Sequence, residues 1–151
     1  MVLFFLMFIG GCSGSTGGGV KVIRWVILSK QMNNEVKRLL HPHGVFTIRL
    51  NNQAGRKDVV FSVAGFMYLY FLLVLITAIV ACLNGIDIFS AFTASLSMVG
   101  NIGPGFGAVG PSENFGFFNA ATKWWFSFAM IAGRLELYTM LVFFTPAFWK
   151  R

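Results

Sequence analysis

Few side chains in this chain of 151 residues are placed for covalent chemistry. Gly105-Phe106-Gly107-Ala108-Val109-Gly110 fits the letters of the dinucleotide-binding turn G-x-G-x-x-G. That turn needs a preceding strand, a following helix and an acidic residue about 20 positions on, and the sequence offers none of them. Residues 14–21 are only superficially like a phosphate-binding loop, because Val20 separates Gly19 from Lys21 and no Ser or Thr follows the lysine. His41 and His43 flank Pro42 in a basic stretch without another ligand nearby, which reads as exposed turn residues rather than a metal site. Cys12 and Cys82 each lie in or beside an apolar run and read as small packing residues. Ile9-Gly10-Gly11-Cys12 could be a lipoprotein processing site, yet no Lys or Arg precedes it and the apolar run is short. No enzyme activity, no cofactor and no resident metal are expected.

Two Gly-rich stretches and one charge remain. Residues 86–99 read IDIFSAFTASLSMV, enough for a short helix but not for a membrane crossing, and run into Gly100-Asn101-Ile102-Gly103-Pro104-Gly105-Phe106-Gly107. Met1 to Ile9 form an apolar run that breaks at Gly10-Gly11-Cys12-Ser13-Gly14-Ser15-Thr16-Gly17-Gly18-Gly19 and resumes at Val20. Irregular backbone at membrane depth survives only where protein buries it or where it lines a watery cavity. Arg134 sits midway along a second apolar stretch, where an unpaired arginine costs at least ~2.5 kcal/mol. Glu136 is two positions on, about 200° around a helix, so the two cannot pair along one face. Arg134 therefore needs its own partner, and carbonyls of the loop at residues 10–19 are the obvious supply.

The surrounding elements must be membrane helices. Hydrophobic residues make up 56% of the chain and charged ones 11%, with mean hydropathy +0.72. Soluble chains carry roughly 25% charged residues, so lipid is the expected solvent. Residues 59–86 hold no charged side chain and exceed the ~20 residues a crossing needs. A second span begins near Lys123-Trp124-Trp125 and closes toward Pro146 and Trp149, tryptophans at both ends suiting the aromatic belts of the two membrane surfaces. Ala129 and Gly133, four apart, would allow close helix approach. Net charge +7 comes mainly from Lys21, Arg24, Lys30, Lys37, Arg38, Arg49, Arg56 and Lys57, with Lys150 and Arg151 at the end. Basic residues stay in cytoplasmic segments, which puts both regions inside and accounts for the charge without nucleic acid. A short apolar helix ending in a Gly-rich extended segment between two spans is the layout of a re-entrant pore loop. The alternative is an outer loop with a surface-lying helix.

Taken together, Met7 to Lys21, Asn101-Ile102-Gly103-Pro104-Gly105-Phe106-Gly107, and Gly133-Arg134-Leu135-Glu136 with Thr145-Pro146-Ala147-Phe148-Trp149-Lys150 resemble one family, the Trk/Ktr/HKT potassium transporters. The likeness is to the C-terminal portion of the TrkH/KtrB membrane subunit and covers essentially the whole chain. It implies an all-α integral membrane fold, a potassium-channel-like helix, pore-loop, helix unit preceded by a broken helix with a Gly-rich intramembrane loop. Residues 1–28 would end a preceding unit, with the intramembrane loop at 10–19. Residues 29–57 would be a basic cytoplasmic connector with a short hairpin around 45–50. Residues 58–151 would form the last unit, with spans at about 59–83 and 123–147, a pore helix at about 87–98 and the filter at 100–107.

By the same resemblance, Asn101, Ile102, Gly103, Pro104 and Gly105 are the fourth filter segment, binding potassium as the transported ion, and Gly14, Ser15, Thr16, Gly17, Gly18 and Gly19 form the gate with Arg134. Gly103 is the family's glycine; where a tetrameric channel has Thr-Val-Gly-Tyr-Gly this chain has Asn-Ile-Gly-Pro-Gly, and Pro104 offers no amide donor. The implied function is potassium uptake through a four-unit pore in the bacterial inner membrane, multi-pass with a cytoplasmic C-terminus. Membrane lipid, a homodimer and a cytoplasmic nucleotide-binding regulatory subunit like TrkA or KtrA are the implied partners. Proton or sodium symport, channel-like passage and the degree of potassium selectivity all stay open. The rival readings are a non-transporting membrane interaction protein and an inactive remnant of such a transporter.

Overall fold

A computed structural model describes residues 2–12, 17–40, 49–50, 53–54, 57–134, 142 and 149. Gly14, Ser15 and Thr16 of the expected gate lie outside the described residues, as do His41, His43, Glu136, Pro146, Lys150 and Arg151.

Helices build the fold. Helix α1 is Val2–Leu6 and α2 is Val22–Leu40. Two-residue strands β1 (Arg49–Leu50) and β2 (Gln53–Ala54) pair antiparallel, Arg49 opposite Ala54. Helix α3 is Lys57–Cys82, α4 is Ile88–Gly100, and α5 is Ala120–Arg134; a single 3-10 turn, Gly107–Val109, lies between the last two. Helix α2 runs twelve residues beyond residue 28, where the connector is expected to begin. Its polar second half still consists of good helix formers, Gln31 donates to Glu35 one turn on at 2.6 Å, and the breakers Pro42 and Gly44 come only after Leu40.

Helix α3 is apolar all round. Phe66, Met67, Tyr70, Val74, Thr77 and Ala81 are buried on one side, while Phe61, Tyr68, Leu72, Leu75 and Ile79 are exposed on the other. A helix in water would make that outer stripe polar; over Val59–Cys82 this one is long and apolar enough to cross a membrane. Helix α4 has the opposite environment: from Ser90 to Gly100 every residue is buried except Phe92, which is half-buried. It packs between α3 and α5, with α3 its more extensive neighbour. Phe66, Tyr70, Val74, Leu96, Val99 and Ala129 form one core cluster, and Ala81, Ala94, Met98, Val109, Phe118 and Phe126 a second.

Three side chains close α3 and α5 around α4. At the turn after α3, the Asn84 amide donates to the Thr122 hydroxyl at 2.9 Å, and its oxygen accepts from the Asn119 backbone at 3.1 Å. One helical turn inward, Trp125 Nε1 donates to the Thr77 hydroxyl at 3.1 Å. At the far end of α4, the Asn101 side chain donates to the Met130 carbonyl at 2.8 Å.

Candidate functional site

The C-terminal end of α4 is where the extended segment, the N-terminal Gly-rich loop and α5 converge. The helix starts on Asp87, whose carboxylate accepts from the Ser90 amide at 3.0 Å. The Ser90 hydroxyl, and with it that amide, holds the exposed Asp87 carboxyl below the usual carboxylate range. The helix ends on Asn101 in the left-handed conformation, φ 53°, with its amide closing on the Met98 and Ser97 carbonyls. Asparagine is among the few residues that adopt this conformation readily.

Beyond Asn101 the chain is extended, and a row of hydroxyls on α4 holds it. Ser97 donates to the Gly103 carbonyl at 2.5 Å. The Thr93 hydroxyl accepts the Phe106 amide at 3.2 Å and lies within donating distance of the Phe106 carbonyl at 3.2 Å and the Ser90 carbonyl at 3.1 Å. Ser90 Oγ accepts the Ala108 amide at 3.1 Å. Ser90, Thr93 and Ser97 are three and four residues apart, hence on one helix face, and they meet residues 108, 106 and 103 as the chain folds back along the helix. At Gly103 φ is +110°, a region side chains rarely enter, so glycine permits the reversal there.

This geometry decides which backbone groups are available to a cation. Part of the Gly103 carbonyl's accepting capacity is taken by Ser97, whereas no described residue donates to the carbonyls of Ile102, Pro104 or Gly105. All lie next to the C-terminus of α4, the negative end of its dipole.

The loop meets the same helix end. Gly10 donates its amide to the Val20 carbonyl at 2.9 Å and Val22 donates to Gly11 at 3.2 Å, closing the base of the loop. A side chain at Gly18 would meet the Gly100 carbonyl oxygen and Asn101 Nδ2, each at 2.9 Å. On the adjoining carbonyl, a side chain at Gly133 of α5 would collide with the Val99 oxygen. Loop and α5 thus abut successive carbonyls of α4. A cavity of about 290 Å³ separates Gly10, Gly18 and Gly19 from Ile102 and Pro104 and is mostly apolar.

Of the residues singled out from sequence, Asn101, Ile102, Gly103, Pro104, Gly105, Gly18 and Gly19 come together here. Arg134 closes the described part of α5, exposed and one residue from Gly133; its side chain makes no hydrogen bond or ion pair with a described residue, Gly17, Gly18 and Gly19 included. The sequence reading missed Ser90, Thr93 and Ser97. Their signal was available: of the four hydroxyls in the otherwise apolar run IFSAFTASLSMVG, these three share helical spacing and Ser95 does not. Among the described residues no three His, Cys, Asp or Glu side chains gather as a metal site.

Comparison with known proteins gives a consistent answer. A family model, TrkH, described as cation transport protein, matches residues 1–151. The Trk system potassium uptake protein TrkH of Salmonella typhimurium is 44% identical over 150 residues, 99% of this chain and 31% of that protein. The Trk system potassium uptake protein TrkI of Halomonas elongata is 39% identical over 152 residues, again 31% of its length. The crystal structure of the potassium transporter TrkH from Vibrio parahaemolyticus superimposes with TM-score 0.85 at 42% identity, covering 99% of this chain and 31% of that one. The chain thus spans about a third of the length of these relatives and has the fold of the part it matches.

Proposed function

This chain belongs to the TrkH family of cation transport proteins, a membrane-embedded family, and from that premise we propose that it serves potassium uptake. It supplies one of four backbone segments around a pore, Asn101, Ile102, Gly103, Pro104 and Gly105. The observation that carries this reading is the set of carbonyls at Ile102, Pro104 and Gly105 to which no described residue donates, in a segment held by Ser90, Thr93 and Ser97. A ring of four such segments replaces the water shell of a potassium ion with carbonyl oxygens, lowering the cost of dehydration without covalent chemistry. A chain supplying one segment works with three others, from the same polypeptide or from partners.

The loop at residues 10–19, with Gly14, Ser15, Thr16, Gly17, Gly18 and Gly19 at its centre, and Arg134 form the gate below the filter. Gly18 pressed against the end of α4 supports a loop at the inner mouth of the segment. A guanidinium near a narrow path repels a cation until it moves or its field is offset. The basic residues place the stretch before α3 and the C-terminus in the cytoplasm of a multi-pass protein of the bacterial inner membrane. A homodimer, surrounding lipid and a cytoplasmic nucleotide-binding regulatory subunit complete the assembly, with potassium as the cargo.

Rubidium uptake by the transport-competent assembly carrying Gly103→Asp tests this reading. An aspartate cannot hold φ +110° without strain and puts a carboxylate beside the pore, so uptake is lost or its preference for potassium over sodium disappears. Unchanged selective uptake would refute the filter assignment.

A further inference from the structure

The Tyr70 hydroxyl stands out as a buried polar group without a hydrogen-bond partner among the described residues. Tyr70 is on α3, 1% exposed, and its ring is fixed by packing: it stacks on Phe66, ring centroids 6.4 Å apart, and lies in the cluster with Val74, Leu96 and Val99. Phe66 in turn carries the Arg24 guanidinium 3.7 Å from its ring centroid. With the ring held on both sides, the hydroxyl cannot swing away to find a partner of its own.

Its surroundings are specific. A Cβ at Gly19 of the loop and a Cβ at Gly100 at the end of α4 would each lie 3.9 Å from the Tyr70 oxygen. The hydroxyl therefore sits behind the seam where the loop is seated on α4, and Gly19 and Gly100 also line the cavity in front of that seam. A buried donor without an acceptor destabilises the arrangement that leaves it so. A loop of glycines can change its backbone conformation at little steric cost and present a carbonyl to it.

We infer that Tyr70 is a positioning residue for the loop: its hydroxyl is unpaired while Gly18 and Gly19 are seated on α4, donates to a carbonyl of Gly18 or Gly19 when the loop is displaced, and so favours the displaced, conducting arrangement. This rests on the reading of the loop as a gate. Removing the hydroxyl while keeping the ring relieves the seated arrangement of its unpaired group, shifting the balance toward the closed path.

The test compares initial rates of rubidium uptake by the assembly in four forms: unaltered, Tyr70→Phe, Gly18→Ala and the double variant. The thermal stability of each purified assembly is measured alongside. Tyr70→Phe lowers uptake by about two- to tenfold, the range of one net hydrogen bond, with potassium-over-sodium preference unchanged and stability equal or higher. Gly18→Ala pushes the loop off the Gly100 carbonyl and raises uptake, and in that background Tyr70→Phe has little further effect. Raised uptake in Gly18→Ala with normal uptake in Tyr70→Phe would overturn the role of Tyr70 and leave the gate standing. Unraised uptake in Gly18→Ala would overturn the gate, and the inference with it. A Tyr70→Phe assembly that is less stable would show the hydroxyl to be a satisfied structural group and also overturn the inference. Should Gly18→Ala fail to assemble, the rate and stability of Tyr70→Phe decide alone.

Discussion

The Ser97 hydroxyl donates to the Gly103 carbonyl, six residues ahead in sequence, across the reversal that Asn101 begins. One side chain of α4 thereby fixes the turn at the centre of the segment proposed as the filter. Further along, Thr93 and Ser90 do the same for Phe106 and Ala108, so a rigid buried helix sets the position of a backbone with no regular structure of its own.

Ser97→Ala removes this donor and leaves the Gly103 carbonyl free to reorient. Ser97 is 1% exposed, so water cannot readily replace it. The bond contributes about 1 kcal/mol, so the positioned state loses about fivefold in population. Potassium-over-sodium preference in uptake falls by a comparable factor, whereas Ser97→Thr, which keeps the hydroxyl, restores most of it. Equal selectivity in the alanine and threonine variants would show that this bond does not position the filter.

Arg134→Ala takes a positive charge from the end of α5, the position proposed for the gate. Cation leak under regulated-off conditions rises, and Arg134→Lys, which keeps the charge, stays near the unaltered level. Leak equal to the unaltered assembly in Arg134→Ala would mean that the arginine braces α5 rather than guards the path.

Asp87 gives the N-terminal end of α4 a pH dependence with a definite sign. Its carboxyl is held below the usual carboxylate range, by the Ser90 hydroxyl and then the Ser90 amide. A depressed value means that the cap contributes its stability throughout the range above the unfolded-state value and loses it as pH falls through the lower, folded-state value. Thermal unfolding measured against pH is therefore insensitive to this group at neutrality and turns downward as pH falls into the range where free aspartates titrate and on through the lower, folded-state value. Asp87→Asn removes that component of the acid limb; an unchanged acid limb in Asp87→Asn would assign it to other carboxylates.

Much of this was legible from residue order. The charge-free run beginning at residue 59 and the Gly-rich break before Val20 carry the membrane class, and the family expected from Met7 to Lys21, Asn101 to Gly107 and Gly133 to Lys150 is the family found. The extent of α2 was not legible, because a polar stretch with Gln31, Asn33 and Asn34 has loop-like composition and only its i to i+4 pairing and the late breakers show it to be helical. The hydroxyl row was overlooked because Ser and Thr in an apolar helix are common packing residues; only the fold-back of residues 103–108 gives them partners. Tyr70 could not be singled out at all, since its meaning depends on Gly19 and Gly100, 51 and 30 positions away, meeting at its hydroxyl.

The most direct test of the central claim is the position of a heavy potassium analogue in crystals of the transport-competent assembly soaked in rubidium. Anomalous density is expected on the pore axis, coordinated by the carbonyl oxygens of Ile102 and Pro104, and is expected to be lost in Gly103→Asp. Density confined to other parts of the protein, with none at these carbonyls, would contradict the claim.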